Sequence, residues 1–169
     1  MTAFEKSRYI FEERDTGEVE RIVASAIRMG EIVFENKHVL HPKHINEFLR
    51  VVQCKITEAV PKHKKRTQYC SIEAFLNPMP ENLEHEHVLP VRTMTAALLS
   101  GSIEQVGPTL RTALACTVTK DEHYNKLGKV AGSLHGWKRY YEARIPVVDA
   151  KATQENAGSI VYFIKPTDF

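Results

Sequence analysis

The feature that most constrains the fold is a short β-favouring run followed at once by a signal for the start of a helix. Residues 115–118 read Ala-Cys-Thr-Val, and Thr119 with Glu122 three residues later has the form of a capping box. The pattern predicts a strand that leads directly into a helix beginning at Lys120. We expect this helix to run for about two turns and to end at Gly128, because glycine readily adopts the left-handed conformation that follows many helices.

A second run of ionisable residues lies at another predicted strand end. Glu84, His85, Glu86 and His87 precede an apolar pair and Pro90. In an extended segment the two histidines point to one face and the two glutamates to the other, and either face offers ligands for a cation. Pro90 cannot donate a backbone hydrogen bond, so we expect the strand to end near His87 and a helix to follow.

Two strand ends that carry acidic and histidine side chains, one of them followed directly by a helix, resemble the HNH or ββα-metal nucleases. Glu86-His87 followed by Val-Leu-Pro is similar to the element that closes the first strand in that family, and Thr119 to His123 is similar to its entry into the helix. The resemblance implies that His87 polarises the attacking water, while Glu86 and His123 hold one divalent cation, magnesium or manganese. It implies a ββα-metal-like core and an endonuclease that hydrolyses phosphodiester bonds in nucleic acids.

A different metal site is open on the same residues. His85 and His87 share a face of the strand, and with His123 as third ligand and water in the fourth position they would form a three-histidine zinc site. Imidazole favours zinc, nickel or copper, whereas carboxylate and water favour magnesium or manganese. The identity of the metal therefore separates the two sites.

Positive charge is concentrated in one short segment, although the net charge of the chain is only +2. Lys62, Lys64, Lys65 and Arg66 surround a histidine. We expect all four cations to be exposed, because they cannot be desolvated without partners. They are candidate phosphate contacts for a nucleic-acid partner, and the alternative is a solvated loop.

An aromatic stripe near the C-terminus also carries positive charge. Trp137, Tyr140 and Tyr141 are spaced for one helical face, with Lys138 and Arg139 between them. The stripe either contacts nucleic acid or docks a helix on the core with its cations in water. Beyond it, residues 145–148 and 159–164 are strand-like and are expected to pair with each other.

The remaining pattern predicts an α+β fold in a single domain of residues 1–169. Apolar residues at helical spacing begin at Thr16, and Gly30 is expected to end or interrupt that helix; a second helix is expected from Pro42 to Pro61. Residues 32–34 and 38–40 flank a turn and predict a small hairpin or irregular chain. A helical half, about 1–76, would precede a half, about 83–169, that holds a small sheet with helices and the site.

Composition limits where the protein works and what it contacts. Its three cysteines are not in zinc-ribbon spacing, and each lies in or beside an apolar run, which is typical of reduced thiols. No apolar run approaches the ~20 residues that span a bilayer, and the first residues do not form a signal peptide. We expect an intracellular, cytoplasmic protein with no membrane partner.

A non-enzymatic role is the alternative to the nuclease. Asp121 and Glu122 would then only complement the dipole at the start of a helix, and the Glu84–His87 run would be an exposed strand end. The protein would be a regulator or an inhibitor that binds a macromolecular partner.

Overall fold

The chain folds as an α+β protein, as the sequence predicts, and the computed structural model describes residues 8–130, 132–156 and 159–169. In chain order the elements are α1 (Thr16–Glu35), α2 (Pro42–Thr57), β1 (Tyr69–Ser71), α3 (Ile72–Leu76), β2 (Leu83–His87), α4 (Val91–Ser100), α5 (Ile103–Arg111), β3 (Ala115–Thr119), α6 (Lys138–Glu142), β4 (Val147–Asp149), α7 (Ala150–Glu155) and β5 (Tyr162–Ile164). Short 3-10 turns cover Pro80–Asn82, Leu127–Lys129 and Pro166–Asp168, and a π-helical turn covers Glu122–Lys126.

Two compact units divide the chain in an interleaved way. One consists of Met1–Glu13, Pro61–Val88 and Ala115–Phe169, and it holds the sheet. The other consists of Arg14–Val60 and Leu89–Leu114, and it holds four helices. The sequence placed a helical half before residue 76, whereas residues 89–114 also join the helical unit because their apolar residues pack with those of α1 and α2. The single domain stays a prediction.

The helical unit is organised around α1 and α2. Asp15 caps α1 by accepting hydrogen bonds from two backbone N–H groups, and Pro42 opens α2 as predicted. The prediction that Gly30 ends or interrupts the first helix is wrong, and so is the hairpin proposed for residues 32–34, because α1 continues to Glu35. A Cβ atom on Gly30 would lie 2.9 Å from Leu110 Cδ1, so this glycine serves a close approach to α5 rather than a helix end.

The sheet of the other unit has five strands in the order β2-β3-β1-β4-β5. β1 and β3 are parallel, and the other neighbouring pairs are antiparallel. β4 and β5 pair with each other, as the sequence predicts. Because side chains alternate along each strand, the two faces carry separate cores, one with Cys116, Val147 and Ile164 and the other with Cys70 and Val148. β2 lies at one edge of the sheet.

Within the described residues, none of the helices has the length and apolar character that crossing a membrane requires.

Candidate functional site

Antiparallel pairing of β2 with β3 brings the two ionisable clusters together. Leu83 is opposite Thr119 and Glu86 is opposite Cys116, so the end of β3 lies beside the start of β2. Oε2 of Glu86 lies 2.7 Å from Nδ1 of His123. Two side chains that the sequence singled out as cation ligands are therefore in contact.

The start of the helical segment has the capping box that the sequence predicts. The Thr119 backbone N–H donates to Glu122 Oε2 over 2.9 Å, and the Glu122 N–H donates to Thr119 Oγ1 over 3.2 Å. Ser71 Oγ also donates to this carboxylate, which is only 2% exposed. Glu122 therefore has a structural role, in which it holds the segment that carries His123.

The end of that segment differs from the prediction. A π-helical turn at Glu122–Lys126 is followed by a 3-10 turn at Leu127–Lys129, so Gly128 lies inside a turn and does not end a regular helix. Among the glycines that the structure describes, the positive φ belongs to Gly136. A π-helical turn has more residues per turn than an α-helix and is frequent at functional sites. It is this irregular turn that carries His123.

Glu86 has a second partner, the charged Arg139, which sequence analysis did not assign to the site. Nη1 of Arg139 donates to Glu86 Oε1 over 3.0 Å, and the side chains of Arg139 and Glu86 are 14% and 12% exposed. The aromatic stripe is the sequence pattern that could have indicated Arg139. Tyr140 of this stripe is fully buried against the sheet, and its burial positions α6 so that the neighbouring Arg139 lies beside β2. For Tyr140, the core-docking alternative is confirmed.

The contact between Glu86 and His123 has an unusual geometry. His123 Nδ1 is buried and, despite its 2.7 Å approach to Oε2, makes no hydrogen bond to Glu86 or to any other group. The ring instead packs edge-on against Tyr124, with centroids 4.6 Å apart.

The two histidines of the first cluster, His85 and His87, lie on the face of β2 opposite to Glu86. Strand pairing continues through His87, which is opposite Ala115, so the alternation of side chains is not broken between Glu86 and His87. The His85 and His87 rings are in contact, with centroids 5.4 Å apart, and His85 Nδ1 lies 2.6 Å from the Lys64 carbonyl oxygen. The structure thus forms two pairs, Glu86 with His123 and His85 with His87.

Of the two predicted metal sites, the three-histidine site does not form, whereas the two protein ligands of the other, Glu86 and His123, lie in contact. In the part of the chain that the structure describes, no three or more His, Cys, Asp or Glu side chains are grouped in a way that would hold a metal ion. His85, His87 and His123 are all described residues, and they do not form the three-histidine arrangement. The pair of Glu86 and His123 is what the structure retains of the predicted sites.

Neutral groups surround the charged ones on this face. Burial raises the pKa of the Cys116 thiol and of the Tyr140 hydroxyl well above their usual ranges. Both groups are therefore uncharged near neutral pH. The charged groups on this face are Glu86 and Arg139, with the His123 ring beside them.

The basic run lines a cleft of about 770 Å³ in the same unit. Its walls are formed by Ile10, Glu12, Lys62, His63, Lys64, Lys65, Arg66, Met79, Pro80, Glu81 and Leu83.

Not all cations of the run are exposed, so that prediction is wrong for Lys65 and Arg66, which are half-buried. Each has found a partner: Lys65 donates to the Leu83 carbonyl over 2.6 Å, and Arg66 donates to the Arg8 carbonyl over 2.6 Å. Lys62 is exposed and lies 3.3 Å from Glu12, and Lys64 is exposed. The contact with phosphates stays a prediction.

Comparison with known proteins finds no matching family model, no matching curated protein and no matching solved structure.

Proposed function

We propose that this protein is a metal-dependent, HNH-like endonuclease that hydrolyses phosphodiester bonds in nucleic acids. The observation that carries the proposal is the contact between Glu86 Oε2 and His123 Nδ1. Glu86 lies on β2, and His123 lies on the helical segment that follows the antiparallel strand β3. The strand–strand–helix arrangement is the one that the resemblance implies, although α4 and α5 intervene between the two strands in sequence.

The geometry of this pair suits two ligands of one small cation. Neighbouring ligands at about 2.1 Å from an octahedral cation are about 3.0 Å apart, close to the 2.7 Å between Oε2 and Nδ1. The buried Nδ1 is not aligned for a hydrogen bond with Glu86, and in the tautomer that carries its proton on Nε2 it would be free to coordinate a cation. Magnesium usually keeps several waters and takes few protein ligands, so two side chains are a sufficient protein contribution.

A bound cation would supply Lewis acidity towards the phosphate and lower the pKa of a coordinated water. The chain's own residues hold and orient the reacting groups. Arg139 fixes one oxygen of Glu86, which leaves the other oxygen directed at His123. Its guanidinium also brings positive charge to a place where a phosphate would develop negative charge.

In the reaction, water adds to phosphorus and the bond to the leaving oxygen breaks, so that a proton is lost by the water and one is gained by the leaving oxygen. The sequence assigns the proton from water to His87, since imidazole exchanges protons near neutral pH. His87 faces away from Glu86 on an edge strand, so the substrate would have to reach both faces of β2. Its role as general base stays a prediction.

The proposal is tested by incubating purified protein with plasmid DNA and with labelled RNA, in magnesium or manganese and in EDTA. We expect cleavage that requires the metal, and a loss of about 10²-fold or more in Glu86→Gln and in His123→Ala. Glu84→Gln and His38→Ala are matched controls, because neither residue belongs to the pair. Cleavage by Glu86→Gln and His123→Ala at the wild-type rate, or no metal-dependent cleavage at all, would contradict the proposal.

The alternative, a regulator or inhibitor that binds a macromolecular partner, is favoured by a different observation. Apolar side chains on the helical unit are exposed: Met29 and Ile32 on α1, Phe48 and Val51 on α2, and Val39 between these helices, which is 70% exposed. A contiguous patch of exposed apolar side chains marks an interaction surface, and these residues lie on two helices that pack against each other and on the turn between them. Under this alternative the wild type shows no metal-dependent cleavage, and replacement of Phe48 and Val51 by Ser should abolish binding of that partner while the protein stays folded.

A further inference from the structure

A cluster of three aromatic rings lies on the same sheet face as the Glu86–His123 pair. The Phe163 ring centroid is 4.9 Å from that of Tyr69 and 4.7 Å from that of Trp137, and the Tyr69 and Trp137 centroids are 5.4 Å apart. Phe163 is 44% exposed. We call these three residues the aromatic platform.

The platform is aligned with the site by the strand register. Cys116 on β3 is opposite Glu86 on one side and Tyr69 on the other, so Glu86, Cys116 and Tyr69 form one row across three strands. Side chains in such a row point to the same face. Neighbouring strands are about 4.8 Å apart, so the platform begins ~10 Å from Glu86 along the row.

A β-bulge turns Phe163 towards this face. Val147 is opposite Ile164 and Val148 is opposite Tyr162, so Phe163 is the extra, unpaired residue on β5. In regular pairing, Phe163 would point away from the face that carries Ile164. Bulges redirect side chains and are common beside active sites. Here the bulge places the Phe163 ring against Trp137 at the surface. Because this ring remains 44% exposed, core packing does not explain its position.

We propose that the aromatic platform stacks a nucleobase, and that the substrate is therefore single-stranded nucleic acid. The inference rests on the proposed function, because the platform serves the reaction only if the phosphodiester bond is cut at Glu86. About three stacked nucleotides, at about 3.4 Å each, span the ~10 Å between platform and site. Only an unpaired base can offer its face to a protein ring in this way.

Charge near the platform fits this partner. Lys138 is exposed and follows Trp137 directly, and Arg139 lies at the Glu86 end of the row. Asp149 is opposite Tyr69, and its carboxylate accepts hydrogen bonds from the Gln68 side chain and the Ala152 backbone. These hydrogen bonds direct the Asp149 carboxylate towards its own strand neighbours, while the exposed Lys138 offers a cation to a phosphodiester backbone.

The fluorescence of Trp137 gives a direct test, since it is the only tryptophan of the chain. Single-stranded oligonucleotides of twelve thymidine or twelve uridine nucleotides, and a duplex of the same length, are titrated into the protein. EDTA is present so that no cleavage takes place. We expect both single strands to quench Trp137 emission, and the duplex to bind more weakly and quench less. In Phe163→Leu the affinity for single strands, measured by anisotropy of a labelled oligonucleotide, should fall about 5- to 150-fold.

Two variants control this experiment. Tyr141→Leu removes a half-exposed ring of α6 that packs against Phe169, and this variant should bind as the wild type does. Phe163→Tyr keeps an aromatic ring at this position and should bind single strands with an affinity close to that of the wild type. The inference is overturned if single strands leave wild-type Trp137 emission unchanged, or if Phe163→Leu binds them with wild-type affinity. If one of these results is obtained and metal-dependent cleavage is still observed, the stacking inference fails and the nuclease proposal stands. If single strands quench Trp137 emission but no cleavage is observed, the nuclease proposal fails and the stacking inference stands.

Discussion

Arg139 and Glu86 form an ion pair across 53 positions of sequence, with Nη1 of the arginine 3.0 Å from Oε1 of the glutamate. Both side chains are mostly buried, and the other carboxylate oxygen of Glu86 lies against His123. The position of α6 thereby fixes the orientation of a carboxylate on β2. A change in Arg139 should therefore affect both the stability of the fold and the geometry of the candidate site.

Arg139→Ala should lower the free energy of unfolding by about 1.5–3 kcal/mol, because it removes a hydrogen bond between charged groups that are largely shielded from water. Urea denaturation measures the loss. Lys138→Ala is the matched control on the same helix, and as an exposed residue it should change stability by less than about 0.5 kcal/mol. Equal stability of the two variants would show that the ion pair contributes little.

Lys62→Ser combined with Lys64→Ser should weaken binding of single-stranded nucleic acid without destabilising the fold, since both side chains are exposed. Each lost phosphate contact lowers the slope of log affinity against log salt by about one. Lys65→Ser should instead reduce the melting temperature, because Lys65 holds the Leu83 carbonyl. If the salt slope of the double variant is unchanged, the run serves only the structure.

His87→Ala should reduce metal-dependent cleavage about 10²- to 10⁴-fold if His87 is the general base. The variant should retain the metal, since His87 and the Glu86–His123 pair are on opposite faces of β2. Cleavage rates and metal content by elemental analysis are measured together, with His85→Ala as the neighbouring control. A variant that cuts at the wild-type rate would remove His87 from the mechanism.

Stability should fall as the pH rises above about 8.5, where thiols in an unfolded chain begin to ionise. Burial raises the pKa of Cys70, Cys116, Tyr9 and Tyr140 in the folded chain. The unfolded chain then binds fewer protons than the native one, so the free energy of unfolding decreases with pH, by up to about 1.4 kcal/mol per pH unit for each such group. Their contribution is fully present below the unfolded pKa values. Urea denaturation between pH 7 and 10.5 measures the slope, which should be smaller in Cys116→Ala.

Gly30→Ala should destabilise the helical unit, although alanine favours a helix by about 1 kcal/mol. Its Cβ would lie 2.9 Å from Leu110 Cδ1 and 3.3 Å from Val106 Cγ1 in a packed core, and overpacking costs about 1–3 kcal/mol. Gly107→Ala is the matched control, because there the nearest atom is 3.4 Å away, an ordinary contact. Thermal melts should show a loss for Gly30→Ala and no loss for Gly107→Ala.

Local signals predicted the elements that carry the candidate site. The capping box at Thr119 and Glu122, the strand end at His87 and the proline start of α2 depend on residues close together in sequence, and the structure has each of them. The prediction that Gly30 ends or interrupts the first helix was wrong because a glycine that ends a helix and a glycine that lets two helices approach look the same in sequence. Only the neighbour, Leu110, distinguishes them.

The sequence by itself determined the α+β class, the alternation that sets His85 and His87 apart from Glu86, and the local start of the segment with His123. These follow from backbone geometry and hydrogen bonds over a few residues. Tertiary structure alone decided that Glu86 meets His123, that Arg139 joins them, and that Phe163 bulges towards Trp137. Such contacts depend on strand order and on where α6 docks, and both are set by the burial of side chains far apart in the chain, which no short pattern records.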